Sequence, residues 1–240
     1  MPGSEHEDQA GGSHMTQPLM SIVLPVLNEA QNIESTLASL APLQRRGVEV
    51  VVVDGGSHDD TVVRASALAD WVLESPRGRA RQMNAGAAVA RGQVLLFLHA
   101  DTLLPPNADV LVQQALASGG LWGCFDVRIL GRHPMLRVVA VLMNWRSRLT
   151  GIATGDQALF MRREAFERLG GFPDQPLMED IEISRRLKAL ASPLHLAQRV
   201  ATSGRRWESR GVWRTIILMW WLRWRYWRGE SPQRLAQAYR

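Results

Sequence analysis

Along the chain the apolar residues gather into short unbroken runs, each followed by a polar turn and then by a segment in which they recur every three or four positions. The run Val94-Leu-Leu-Phe-Leu98 follows the turn signal Arg91-Gly92, is too short for a helix, and predicts a strand buried on both faces. It stops abruptly at His99-Ala100-Asp101. Upstream, residues 21–27 and 48–54 predict two more buried strands, and residues 71–74 a shorter third. Asn28, Glu29 and Gln31 form a helix-start signature ahead of Ile33, Leu37 and Leu40. Asp59 or Asp60 is placed to cap a helix carrying Val62, Val63 and Leu68, and the Ala- and Gly-rich segment 78–91 suits a helix lying close against a sheet.

Downstream, the pattern predicts helices over 107–118 and 135–148, a strand over 121–127 and a last central strand over 157–161. A helix opening at Met178 has Ile181, Ile183 and Leu187 near one face, and its first turn carries Glu179 and Asp180, where the helix dipole favours negative charge. Strands alternating with helices argue an α/β fold with a mostly parallel central sheet and right-handed crossovers. No Gly-x-Gly-x-x-Gly follows the first strand and no P-loop is present, which speaks against a dinucleotide-binding Rossmann domain and a P-loop NTPase.

With 240 residues and 46% hydrophobic content, the chain can bury a proper core as a single domain. Residues 1–14 are acidic, polar and Gly-rich, and Gly12-Ser13-His14-Met15 looks like an expression-vector scar, so the fold is expected to begin near Met15 and neither His6 nor His14 carries functional weight. The one cysteine, Cys124, excludes an intrachain disulfide and a Cys-based zinc site, fits a reducing, cytoplasmic setting, and is expected in the core. The net charge of +5 is concentrated as arginine in the C-terminal third, which suggests an anionic partner. No secretory leader is visible, and the apolar run 216–222 is far shorter than the ~20 residues of a bilayer span.

The chemistry sits at the strand ends. Glu29, Asp54, Asp101, Asp156 and the pair Glu179-Asp180 would converge on one rim of such a sheet, where ligands of open α/β sheets bind. Like charges gathered there call for metal or cationic ligand groups. The competing reading for Asp101 is a turn cap, since Asp-Thr ahead of Pro105-Pro106 is good turn chemistry.

Five segments occur in an order that resembles the family 2 glycosyltransferases: Leu24-Pro-Val-Leu-Asn-Glu29, Val53-Asp-Gly-Gly-Ser-His-Asp-Asp-Thr61, Arg81-Gln-Met-Asn-Ala-Gly86, Phe97-Leu-His-Ala-Asp101 and Met178-Glu-Asp180. The resemblance covers about residues 20–190. It implies a GT-A fold with a nucleotide-sugar-binding half over about 20–104, an acceptor half over about 105–205 and a helical tail over about 208–240. It also implies that Pro25, Asn28 and Glu29 line the nucleoside pocket, that Asp54 faces a uracil base, and that Arg81 and Asn84 belong to the segment closing over the nucleotide. Asp101 matches the last acid of the family's Asp-x-Asp element and would hold Mg²⁺ or Mn²⁺ against the diphosphate; Asp180, beside Glu179, matches the catalytic base. Two positions depart from the family pattern. His99 replaces the first acid of Asp-x-Asp, and is read as a ribose contact or a buried neutral imidazole ahead of a metal ligand. Gly55 replaces the second acid of Asp-Asp-Gly-Ser.

Within the family, the His-Ala-Asp-Thr element, the run from Gly155-Asp156 to Phe160 and Ser203-Gly-Arg-Arg-Trp207 resemble the arsenosugar- and selenium-associated subfamily, which includes the selenosugar-forming transferases of selenoneine biosynthesis. Such an enzyme would join a UDP-sugar to selenophosphate. Selenophosphate is anionic at selenium and needs cations more than a base, and Arg205, Arg206 and Arg128 are suitable phosphate forks, although a solvated basic turn is the alternative for Arg205-Arg206. The tail from Trp213 to Trp227 interleaves indoles with Arg214, Arg223 and Arg225. That composition suits packing or a homodimer contact first, a membrane surface second, and nucleic acid last. Two other functions stay open: a peripheral transferase with a polyprenyl phosphate acceptor, and a non-catalytic nucleotide- or membrane-binding protein on the same scaffold.

Overall fold

In the computed structural model, residues 18–239 are described. The expression-scar reading of 1–14 and the expected start near Met15 lie outside the described residues. Eight strands form one sheet: β1 (Met20–Val26), β2 (Glu49–Asp54), β3 (Trp71–Glu74), β4 (Val94–Phe97), β5 (Thr102–Leu103), β6 (Trp122–Leu130), β7 (Leu159–Arg162) and β8 (Leu194–Ser203), in the order β3-β2-β1-β4-β7-β6-β8-β5. The first four in that order run parallel, β7 runs against β4, β6 and β8 return to the original direction, and β5 closes antiparallel on β8. The mostly parallel α/β sheet expected from the apolar runs is therefore present.

Helices cover both faces, and the period of two along a strand decides which residue meets which layer. Met20, Ile22 and Leu24 of β1 face α1 (Ile33–Gln44), α4 (Ala108–Ala117) and α5 (Met135–Thr150), while Val23 faces α3 (Arg79–Val89), α6 (Arg163–Arg168) and α7 (Glu179–Leu190). Helix α2 (Thr61–Ser66) lies between β2 and β3. The small residues of α3 do bring it close: a Cβ on Gly86 would stand 2.4 Å from Val23 Cγ1 and 2.8 Å from Val53 Cγ2. Cys124 is buried as expected, and burial first, with Asp126 adding to it, pushes its thiol up to about 12.

The structure departs from the sequence pattern in three places. Asn28 does not start a helix: it adopts φ +53, and α1 begins only at Ile33, because the chain first makes a turn that its side chain closes elsewhere. Residues 194–203 form a long strand that the apolar pattern did not predict, as its Ala197-Gln198-Arg199 stretch is exposed at a bulge opposite Phe125 and Asp126. The helical tail expected over about 208–240 is divided into three helices. It breaks at Gly211, φ +84, into α8 (Arg205–Arg210) and α9 (Val212–Trp227), followed by α10 (Pro232–Tyr239).

Candidate active site

The parallel strands β1, β2 and β4 all end on one rim, and the loops that leave them are tied to one another by side chains. The Asn28 backbone N–H donates to Ser57 Oγ at 2.8 Å, and Asn28 Oδ1 accepts from the His58 N–H at 2.9 Å. Glu29 N–H donates to Thr61 Oγ1 at 2.8 Å. Asp54 is buried and spends its carboxylate on its own loop, accepting from the N–H groups of Gly56 and Ser57 and from Ser57 Oγ at 2.9, 2.8 and 2.5 Å. Pro25 lies in β1 opposite Val53.

Gln82, which the motif reading passed over, donates from Nε2 to the carbonyls of Val26 and Val53 at 2.8 and 2.9 Å, closing the gap between the ends of β1 and β2. It also accounts for Gly55, since a Cβ there would stand 3.0 Å from three atoms of the Gln82 amide. A side chain at position 55 would require the Gln82 amide to give by a few tenths of an ångström.

Beyond β4 the backbone of 99–102 is held from several sides. Thr36 Oγ1 donates to the Ala100 carbonyl at 2.5 Å, the Ser203 N–H to the Asp101 carbonyl at 3.1 Å, and Thr102 and Thr202 join their hydroxyls at 3.0 Å. The carboxylate of Asp101 stays out of this network: it is half-buried and, among the described residues, makes no hydrogen bond or ion pair. The turn-cap reading of Asp101 therefore does not apply.

Three further segments meet this rim. A 3-10 turn, Gly155–Gln157, brings Asp156 Oδ1 to 3.2 Å from His99 Nδ1. Gly155 is pressed against the imidazole, where a Cβ would stand 2.3 Å from His99 Nε2, and its N–H donates to Asp180 Oδ2 at 2.9 Å. Asp180 Oδ1 accepts from the Ile181 N–H at 2.8 Å in the first turn of α7. His99, Asp156 and Asp180, far apart in sequence, are thus linked through one turn.

The charges around this turn are balanced. Burial pushes the Asp156 carboxyl up, but the His99 hydrogen bond and the charges of His99, Arg79 and Arg206 outweigh it and hold it below the usual carboxylate range. Glu179 is buried, and burial first, then the Asp180 charge, raise its carboxyl above the ordinary value despite the pull of Arg79. For Arg79, desolvation is overcome by Glu179, Asp156, Tyr239 and Asp180, so its guanidinium holds its proton more tightly than usual. Arg146, on the inner side of α5, is pushed the other way by burial, with Asp180 and Asp156 opposing. The sequence reading missed both arginines. A cation in the first turn of a helix, and an arginine in line with the buried Leu136 and Val139, were the available signals.

The remaining expected residues take other positions. Arg81 forms a bidentate pair with Asp174 at 2.8 and 2.9 Å on the exposed edge. Asn84 clamps the Phe172 backbone, accepting from its N–H at 2.9 Å and donating to its carbonyl at 2.8 Å. Arg205 Nη2 reaches to 3.9 Å from Glu29 Oε2, so β8 and α8 bring a basic segment to the Glu29 side of the rim. Arg206 donates to the Tyr239 hydroxyl and stacks on its ring at 5.4 Å, and Arg210 donates to the Tyr239 carbonyl. The end of α10 is therefore drawn over the same side.

Among the described residues no group of three or more His, Cys, Asp or Glu side chains is arranged to hold a metal ion. An unengaged carboxylate at a strand end nevertheless fits a divalent cation of the Mg²⁺ class, which commonly takes one or two protein carboxylates and completes its shell with substrate phosphates and water. Asp101 would hold it, and the cation would neutralise charge on a departing diphosphate.

A mostly parallel sheet flanked by helices, with acids at the strand ends, matches the GT-A fold of glycosyltransferases. The sequence profile described as Glycosyl transferase family 2 matches residues 21–170, and the chain belongs to that family. An uncharacterized glycosyltransferase of Mycobacterium tuberculosis is 30% identical over 189 residues, covering 74% of this chain and 71% of that protein. A PGL/p-HBAD biosynthesis glycosyltransferase of Mycobacterium bovis is 37% identical over 112 residues, covering 44% and 43%. Among solved structures, the mannosyltransferase PcManGT from Pyrobaculum calidifontis, in complex with GDP-Man and Mn²⁺, superposes with a TM-score of 0.60 at 26% identity, over 78% of this chain and 57% of that one. The chain thus spans little more than half the length of that enzyme. Glucosyl-3-phosphoglycerate synthase from Mycobacterium tuberculosis, in complex with Mn²⁺, UDP and glucosyl-3-phosphoglycerate, shares the fold with a TM-score of 0.53 at 22% identity, over 78% and 71%.

Proposed function

We propose that the chain is a single GT-A unit that transfers a hexose or N-acetylhexosamine from a UDP-sugar to a small phosphate-bearing anion, with selenophosphate as the acceptor. In this reaction the bond from the sugar C1 to the diphosphate oxygen breaks, a C1–Se bond forms on the opposite face with inversion, and UDP leaves. The observation that carries the reading is the unengaged Asp101 carboxylate on the same rim as the linked set His99, Asp156 and Asp180.

Asp101 holds the divalent cation. Asn28, Glu29 and the Asp54 loop wall the nucleoside end. Arg79 balances the acids, and Arg205 and Arg206 supply the cations that draw an anionic acceptor beside an anionic donor. Asp180, held by the Gly155 N–H, orients the sugar or acceptor. A selenium nucleophile that is already anionic does not require it as a base. Incubating the protein with UDP-glucose or UDP-N-acetylglucosamine, Mn²⁺ and selenophosphate, with products read by mass spectrometry, is the test. A sugar–selenium product together with UDP is expected. UDP without that product overturns the acceptor, and no UDP with any phosphate or hydroxyl acceptor overturns the transferase reading.

A further inference from the structure

Helices α5 and α9 bury one face each and leave the other to solvent. On α5 the outward stripe is Val138, Val141, Leu142, Trp145 and Leu149, with exposures of 45–77%. On α9 it is Trp213, Ile217, Trp220, Trp224 and Trp227, with exposures of 55–79%. At helical geometry those five α9 positions fall within about 80° of arc and run about 21 Å along the axis. The starts of the two helices are brought near each other, and so are their ends. Near their starts, Glu208 of α8 accepts from the Arg132 and His133 N–H groups just ahead of α5. Near their ends, Arg146 and Thr150 of α5 line one cavity of about 790 Å³ with Arg223 and Trp227 of α9.

Charge narrows what covers this face. Residues 135–150 and 211–228 contain no aspartate or glutamate; Arg146 is turned inward, and Arg148 and Arg225 pair with Asp126 and Glu230, which leaves Arg137, Arg214, Arg223 and Arg228 as the charge this face presents. Arg225 lies over the Trp221 ring at 4.6 Å and Arg228 over the Trp224 ring at 5.4 Å, so cation and indole are presented together. A self-complementary dimer through this face would bring arginines against arginines. Exposed indoles set among arginines instead match the interfacial zone of a bilayer with anionic headgroups. No helix among the described residues is long and apolar enough to cross a membrane, so contact of this kind lies along the surface.

We propose that the α5–α9 face docks the protein on an anionic lipid surface, with the tryptophans seated at the headgroup level and the arginines on the lipid phosphates. The inference does not depend on the acceptor proposed above, because its test reads binding and not turnover.

Co-sedimentation with phosphatidylcholine vesicles containing a quarter phosphatidylglycerol, compared with phosphatidylcholine alone, tests it. Binding to the anionic vesicles only is expected, weakened about tenfold or more by Trp220→Ser with Trp224→Ser, and weakened similarly by ~0.5 M salt. Circular dichroism melting of the variant checks that it folds, and Trp145→Ser on α5 gives a second variant whose loss of binding is expected. No sedimentation with either vesicle overturns the proposal. So does equal binding to both vesicles, or a wild-type dimer in sedimentation velocity that the α9 variant dissolves.

Discussion

The carboxylate of Asp180 accepts a hydrogen bond from the backbone N–H of Gly155 at 2.9 Å, fixing the first turn of α7 to the turn that carries Asp156. The bond constrains the aspartate whichever role it has. Asparagine at 180 keeps an oxygen for Gly155 but loses the charge. If Asp180 orients substrate, Asp180→Asn lowers kcat about tenfold, whereas loss of a general base costs about 10²–10⁴-fold. Asp101→Asn is expected to be the more damaging change, on the order of 10²-fold. Initial rates of UDP release from the two variants decide the order, and an Asp180→Asn loss exceeding that of Asp101→Asn returns Asp180 to the role of base.

Asp101 is also where metal and nucleotide binding should meet. Calorimetric titration of UDP is expected to show affinity that rises with Mn²⁺ in the wild type and is indifferent to Mn²⁺ in Asp101→Ala. The Ala100 and Asp101 carbonyls are held by Thr36 and Ser203, so the variant keeps its backbone anchors and its melting temperature should change little. UDP affinity that still responds to Mn²⁺ in the variant would put the cation elsewhere.

Gly155 is placed under a steric requirement. A methyl group there would sit 2.3 Å from His99 Nε2, so Gly155→Ala must push the imidazole off Asp156 or pull the turn away from Asp180. Overpacking of this kind costs about 1–3 kcal/mol. The expected result is a lowered melting temperature together with loss of UDP release. A variant that melts like the wild type but has lost activity would show that the turn moves freely and that only its alignment matters.

How much of this was visible in the residues depends on what made each element. Strands β1, β2 and β4 are buried on both faces, so their apolar runs alone announce them, and the acids that follow announce the rim. Strand β8 escaped because it is held by backbone pairing to β6 across a bulge, with exposed Gln198 and Arg199 in mid-strand. Strand β5 is two residues long and hidden in turn-forming sequence ahead of Pro105. The Asn28 signature misled because the same side chain that caps helices also tolerates the left-handed backbone, and here it accepts from His58. Within the site, Asp101 and Asp180 were legible because a motif carries them. Gln82 and Arg79 were not, since their roles arise only when α3 is laid across the ends of β1 and β2 or against α7.

Glu179 gives a pH signature with a definite sign. Its folded carboxyl titrates above the ordinary value of 4.5, mainly through burial and secondarily through Asp180, so the folded state holds a proton that the unfolded chain gives up. The stability tied to that proton is fully present below the unfolded value and is lost as pH rises through the folded one. Glu179→Gln cannot ionise and escapes this loss. Melting temperatures from about pH 4 to about pH 8 should therefore nearly coincide at the acid end and diverge in favour of the variant as pH rises. A gap that is constant with pH would mean that Glu179 remains charged throughout.

Arg146 separates stability from function most sharply. Among the described residues its buried Nε and Nη1 have no hydrogen-bond partner, and the one hydrogen bond of its side chain, from Nη2 to Gln157 Oε1, is long at 3.4 Å. A buried guanidinium so poorly satisfied is a cost to folding, and methionine, with similar length and no charge, removes it. Its field still reaches Asp180 and Asp156, the acids on either side of Gly155. Arg146→Met is therefore expected to match or exceed the wild type in denaturant midpoint while slowing UDP release. Arg146→Lys, which keeps the charge, should recover part of the rate without the gain in stability. If methionine instead destabilises the protein and leaves turnover intact, Arg146 serves the packing of α5 on β6 and has no part in setting the charge beneath the rim.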